Sequence, residues 1–118
     1  MINLFISQPM RGKPDNEIVE ERETAIREAT DMLRKKGIYD VICVLNSSFY
    51  NGYTPDKTHN VGLRYLSEDL KVLADADYIF LAKGWEKARG CIIEHDCAVA
   101  WDIPRLFNQE YASTEKGE

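Results

Sequence analysis

Basic residues are in short supply. Fifteen Lys and Arg stand against 20 Asp and Glu, a net charge of −5. That balance argues against a nucleic-acid polymer or an anionic membrane surface as partner. It leaves room for a small anion held by a local arginine. Cysteine is scarce too. Cys43, Cys91 and Cys97 are odd in number and lack the spacing of a disulfide framework, so reduced thiols are expected. No apolar run approaches the roughly 20 residues of a membrane span. The opening stretch Met1–Ile6 is short and lacks the basic flank of a signal peptide, so a cytoplasmic protein is expected. No repeat or low-complexity segment appears. Cys91 and His95 share a helix face, but Cys97 points elsewhere and no second ligand cluster exists, so no metal is expected. A chain of 118 residues is one domain with room for one core.

What is present is an alternation of short apolar runs and helical patterns. Ile2 to Ile6 reads as a strand, broken by the loop Ser7-Gln8-Pro9-Met10-Arg11-Gly12-Lys13-Pro14. Asp15 or Asn16 is expected to cap a helix whose apolar stripe includes Ile18, Ala25, Ile26, Ala29 and Leu33, with Gly37 as its stop. Val41 to Leu45 reads as a second strand. Asn46 to Asn60 is a long polar-aromatic loop, a length often used for lids or binding loops. Its Phe49, Tyr50 and Tyr53 can stack on a flat ring or close over it, pin the loop to the core, or form a subunit contact. Leu63, Leu66, Leu70 and Leu73 mark a second helix, with Asp69 at the edge of the stripe, where partial desolvation raises a carboxylate's pKa. Tyr78 to Ala82 reads as a third strand, Cys91 to Trp101 as a third helix and Arg105 to Phe107 as a last strand. Tyr111 to Glu118 reads as a polar, mobile tail, so the domain is expected over residues 1–109 and the tail over 110–118. Strands alternating with helices imply an α/β fold. The expected form is an open parallel sheet of about four to five strands with helices on both faces and right-handed crossovers.

The stretch Gly84-Trp85-Glu86-Lys87-Ala88-Arg89-Gly90-Cys91-Ile92-Ile93-Glu94 is the centre of this pattern. Two glycines bracket a turn between a buried strand and a helix, where the backbone bends sharply or lies close to a ligand. In open α/β sheets ligands gather beyond the carboxyl ends of the strands. Glu94 falls about one turn into the expected helix, where the macrodipole favours the carboxylate. Glu94 is therefore either a site residue or a first-turn acid placed for the dipole. Arg11 beside Gly12 can hold a phosphate or carboxylate, or be a solvated loop residue.

With these pieces in place the chain resembles the nucleoside 2-deoxyribosyltransferase superfamily, over roughly Met1 to Phe107. The resemblance rests on the loop Ser7 to Gly12 and on the segment Gly84 to Glu94, which matches a Gly-Trp-x-x-Ser/Ala-Arg-Gly-x-x-x-Glu pattern. It implies a Rossmann- or flavodoxin-like fold. It also implies cleavage of an N-glycosidic bond in a (deoxy)nucleoside or its 5′-monophosphate, by hydrolysis or by transfer of the deoxyribosyl group to another base. By resemblance Glu94 is the nucleophile. Asp69, eight residues before Asp77, handles the proton on the departing base. Ser7, Gln8, Pro9, Met10, Arg11, Gly12, Gly84, Trp85, Arg89 and Gly90 are the implied substrate-binding residues. The implied partners are a small nucleoside or nucleotide and a second copy of the chain in a homo-oligomer, with no cofactor.

The chain also departs from the family pattern. Its transferases carry an Asp six residues before the nucleophile and its monophosphate hydrolases a Ser; here Ala88 stands there. The hydrolases often have Tyr where this chain has Phe5, and Ser where it has Pro9. Met10-Arg11-Gly12 echoes the Ile-Arg-Gly of their first loop, which favours a 5′-phosphate near Arg11, with Arg89 a second candidate. Trp85 can stack on a base or shield the loop. The alternative reading is a non-catalytic nucleotide-binding or sensing module with the same fold.

Overall fold

A computed structural model describes residues 1–56 and 59–115. The Lys57-Thr58 part of the long loop and the last residues of the expected tail, 116–118, lie outside the described residues. The elements run β1 (Ile2–Ser7), α1 (Asp15–Lys35), β2 (Ile42–Val44), α2 (Val61–Leu73), β3 (Tyr78–Leu81), a 3-10 turn (Trp85–Lys87), α3 (Arg89–Ala100), β4 (Arg105–Phe107) and α4 (Gln109–Glu115). The four strands form one parallel sheet in the order β2-β1-β3-β4. The fold is the open α/β sheet expected from the alternation of elements. Among the described residues no helix is long and apolar enough to cross a membrane.

Side-chain alternation along the strands divides the core into two layers. Leu4 and Ile6 of β1, Phe80 of β3 and Leu106 of β4 face Ala25, Ala29 and Leu33 of α1. Phe5, Ile79 and Leu81 face the other way, onto Leu73 of α2 and Cys91 and Ala98 of α3. One long helix thus covers one face, and two shorter helices share the other. Ser7 has the parity of Phe5, so it is aimed at the α2–α3 side.

Several boundaries differ from the sequence expectation. Asp15 and Asn16 do not cap α1. Pro14 holds the cap position in extended backbone, no side chain bonds there, and Asp15 is already helical. Proline tolerates this place because the first helical N–H groups have no intrahelical partner in any case. In α2 the stripe fades toward the start: Leu73 is buried, whereas Leu63 is 60% exposed. The polar C-terminal stretch is not a free tail over Gln109–Glu115. The Asn108 carboxamide oxygen accepts the Tyr111 N–H and so caps α4, while its Nδ2 donates to the Leu81 carbonyl. Tyr111 stacks on Phe107 with ring centroids 5.0 Å apart.

Candidate active site

The carboxyl ends of β1 and β3 lie side by side, with Ser7 opposite Leu81. The chain leaves β1 toward β2 on one side and later returns to β3 on the other, so a topological switch point falls between them. A crevice for ligands is expected there in open α/β sheets. The first loop and the glycine loop meet at this point: a Cβ built on Gly84 would touch Pro9 Cγ at 3.5 Å. Gly84 has φ +85°, a left-handed conformation that suits glycine. Gly90 lies beside α2, a built Cβ coming 4.0 Å from Leu66 Cδ1.

Two carboxyl groups converge behind these loops. Glu94 is 6% exposed, and its Oε1 accepts a 2.6 Å hydrogen bond from the Ser7 hydroxyl. Burial dominates its protonation and pushes its pKa up to about 8. The Ser7 bond works against that rise, and the negative charge of Asp69 adds to it. The expected support from the helix dipole does not prevail. The helix begins at Arg89, two residues earlier than the sequence pattern indicates, so Glu94 lies in the second turn and its burial outweighs the dipole. Asp69 is half-buried on α2, and burial raises its pKa as well. The backbone N–H of Ser48, 2.6 Å from Oδ1, and the Ser48 hydroxyl oppose the rise, and Glu68 adds to it. Cys91, 4% exposed, shares this site: burial drives its thiol up to about 12, with Ser7, Glu94, Asp69 and Lys13 as its electrostatic neighbours. A thiol so raised stays protonated at neutral pH and is not a nucleophile there.

The other expected site residues separate into groups. Ser7 and Gln8 are buried: the Ser7 hydroxyl donates to Glu94, and Gln8 Nε2 donates to the Ile18 carbonyl of α1. They hold the site rather than line its mouth. Pro9 and Met10 are half-buried, and Arg11, Gly12 and Arg89 are exposed at the rim. Trp85 is 6% exposed and turned into an aromatic cluster, stacked on His95 at 4.6 Å and edge-on to Tyr111 at 5.2 Å. Of its two readings, the packing one describes this ring. The loop aromatics divide similarly. Tyr50 lies under the Arg22 guanidinium, 4.1 Å from it, and Tyr53 meets Tyr65 edge-on. Phe49 is the one that stays 38% exposed.

Ala88 is the cap residue of α3, and no side chain caps that helix. Its first N–H groups are therefore open to an acceptor at the site. Sequence reasoning missed Ser48, Cys91 and Lys13. Cys91 was within reach, since it lies three residues before Glu94 on one helix face. Ser48 carries no local signal, because its partner is 21 residues away on another element.

Among the described residues no group of three or more His, Cys, Asp or Glu side chains could hold a metal ion. A groove of about 400 Å³ lies at the C-terminal end of α3, lined by Ala98, Val99, Asp102, Ile103, Pro104, Arg105 and Phe107. It includes neither Glu94 nor Asp69.

A family model described as a domain of unknown function, DUF4406, matches residues 2–105, nearly the whole folded domain. No curated protein and no solved structure matches the chain.

Proposed function

The chain belongs to the DUF4406 family, and we propose that it cleaves the N-glycosidic bond of a (deoxy)nucleoside or its 5′-monophosphate, as a member of the nucleoside 2-deoxyribosyltransferase superfamily. The observation that carries this reading is the convergence of Glu94 and Asp69 behind the switch-point loops, one fixed by Ser7 and the other by Ser48.

In this reading the Glu94 carboxylate attacks the anomeric carbon and the glycosidic electron pair leaves with the base. Asp69 supplies the proton that the base takes away. Water, or a second base, then displaces Glu94 from the sugar, and the incoming group's proton returns to Asp69. The pair needs Glu94 ionised and Asp69 protonated. Burial pushes the Glu94 pKa up to about 8. Developing positive charge on the sugar favours the ionised form as the reaction proceeds. Arg11, Arg89 and the uncapped start of α3 support a 5′-phosphate at the rim. A homo-oligomer belongs to the same proposal, with the exposed Leu63, Val99 and Trp101 as apolar surface for it; sedimentation reads that state directly.

The test is base release from a panel of deoxynucleosides and their 5′-monophosphates, with and without an acceptor base. Wild type is expected to release base and Glu94→Ala to lose at least about 1,000-fold, as removal of a covalent nucleophile does. Nucleotide binding without release from any member of the panel would establish the second reading, a binding or sensing module. What favours that reading is the burial of Glu94, which pushes its pKa up to about 8, together with Ala88, Phe5 and Pro9 at the departed positions.

A further inference from the structure

The turn after β2 carries a role that neither the glycine loop nor the first loop explains. Ser47 and Ser48 are both buried although they follow a strand end and precede an exposed phenylalanine. Tyr50 N–H and Asn51 N–H both donate to the Ser47 carbonyl, which winds the segment into a tight turn. Asn51 Nδ2 donates to Glu68 at 3.0 Å, and Ser48 N–H donates to Asp69 at 2.6 Å. Two neighbouring acids of α2 are therefore held by one turn. From the opposite face of the sheet Arg22 of α1 reaches over the end of β2. Its Nη2 donates to Asn46 Oδ1 at 3.0 Å and approaches the Leu45 carbonyl at 3.4 Å. The same guanidinium lies 4.1 Å over the Tyr50 ring. Cation–π and hydrogen-bond contacts on a partly desolvated guanidinium are among the stronger surface-proximal interactions.

We propose that Ser48 is a positioning residue for Asp69: a turn that Arg22 clamps to α1 sets the Ser48 backbone N–H 2.6 Å from Asp69 Oδ1 and brings the Ser48 hydroxyl to the same carboxyl group. This rests on the glycosidic reading of the site for its consequence, but not for its geometry. A half-buried Asp on a helix surface has rotamer freedom, and a backbone donor 2.6 Å from Oδ1 fixes which way the carboxyl group faces. Ser48 also sets how readily it takes a proton. The charge that raises it is Glu68 on its own helix; facing it from α3 are Glu94 and Cys91, on both of which the Asp69 charge acts, with Lys13 of the first loop acting on Cys91. Among the described residues it is Ser48 whose N–H donates to the Asp69 carboxyl, so the turn is the element that holds this group ready to take up and release its proton.

The experiment follows the Asp69 carboxyl carbon by NMR across pH in the whole protein, for wild type, Ser48→Ala, Ser48→Thr and Arg22→Ala. Ser48→Ala keeps the backbone donor and loses the hydroxyl, so the Asp69 midpoint is expected to rise by about one pH unit. Ser48→Thr restores the hydroxyl and is expected to return the midpoint to that of wild type. Arg22→Ala leaves both partners intact and loosens the turn, and is expected to raise the midpoint by less. Base release is followed in parallel. Its alkaline limb is expected to move with the Asp69 midpoint, with KM unchanged, because the proton donor is altered and the rim is not. An unmoved midpoint in Ser48→Ala overturns the proposal, and so does a moved one that Ser48→Thr fails to rescue. Should Ser48→Ala not fold, Arg22→Ala decides by the same midpoint. A shifted midpoint in a protein that releases no base leaves Ser48 in its role and sinks the glycosidic reading. Base release with an unmoved midpoint does the reverse.

Discussion

The Ser7 hydroxyl meets one oxygen of Glu94 at 2.6 Å inside the protein, and most of what the site can do turns on that contact. A hydrogen bond to a charged group is worth about 1.5–3 kcal/mol net, and a buried carboxyl group left without its donor forfeits more than an exposed one. Ser7→Ala is therefore expected to raise the Glu94 pKa further above about 8, since the bond is what opposes burial. Base release at neutral pH should fall by about 10- to 100-fold, the kinetic equivalent of that bond. A pH–rate profile checks both: the limb attributed to Glu94 moves to higher pH and the plateau drops. An unchanged profile would mean that Ser7 only fills space. At this same scale Cys91 is a buried neighbour of the acid pair, kept as a neutral thiol by its surroundings.

At the scale of the element, α3 shows how a small change at a helix start propagates. Ala88 sits in extended backbone, φ −107° and ψ 117°, the geometry of a cap residue, yet offers no oxygen to the first N–H groups. Ala88→Ser is expected to stabilise the protein by about 1 kcal/mol, a typical gain for a Ser cap over Ala. The shift of the urea midpoint at constant slope measures it. The same substitution introduces the residue that the monophosphate hydrolases this chain resembles carry there, so a tighter KM for monophosphates alone would tie the helix start to the phosphate. The sequence pattern placed the beginning of α3 at Cys91, because apolar spacing becomes visible only there. Arg89 and Gly90 belong to the helix without showing on its stripe, and so Glu94 sits a further half-turn inside. α4 escaped for the opposite reason. Its stretch is polar, and its order comes from the Asn108 cap and from Tyr111 packing on Phe107 and Trp85.

For the molecule as a whole, the buried acids couple folding to pH. Glu94 keeps its proton up to about pH 8 in the folded chain, against an ordinary glutamate value of about 4.5. Between those values the folded state binds more proton than the unfolded one. The stabilising contribution is complete below about pH 4.5 and is lost as pH rises through about 8. Its slope is at most about 1.4 kcal/mol per pH unit for one group. Asp69 shifts in the same direction and adds to the loss. Glu94→Gln keeps the shape and remains neutral, so it is expected to flatten this dependence. It should exceed wild type in stability above pH 8 by about 2 kcal/mol or more. Urea unfolding of both proteins at pH 5, 7 and 9 provides the comparison, and parallel pH dependences would refute the assignment of the titration to Glu94.

The order of the four strands and the first three helices was determined by the sequence alone, because period-two and period-3.6 apolar patterns report the burial of a local face. Gly84 and Gly90 similarly disclosed a turn, and Asp69 and Glu94 were visible as candidate acids. Their environment was not. Whether Glu94 is charged depends on how much water Ser7, Cys91 and the two helices exclude from it, a property of packing between elements 87 residues apart in sequence for the Ser7 bond. Whether Trp85 faces a ligand or the core was settled by His95, Phe107 and Tyr111 coming together around it. Ser48 became a partner of Asp69 only when the turn after β2 folded against α2. Local spacing encodes which residues lie on a common face. Desolvation and hydrogen-bond pairing are set by what arrives from elsewhere in the chain, and only the tertiary structure decides them.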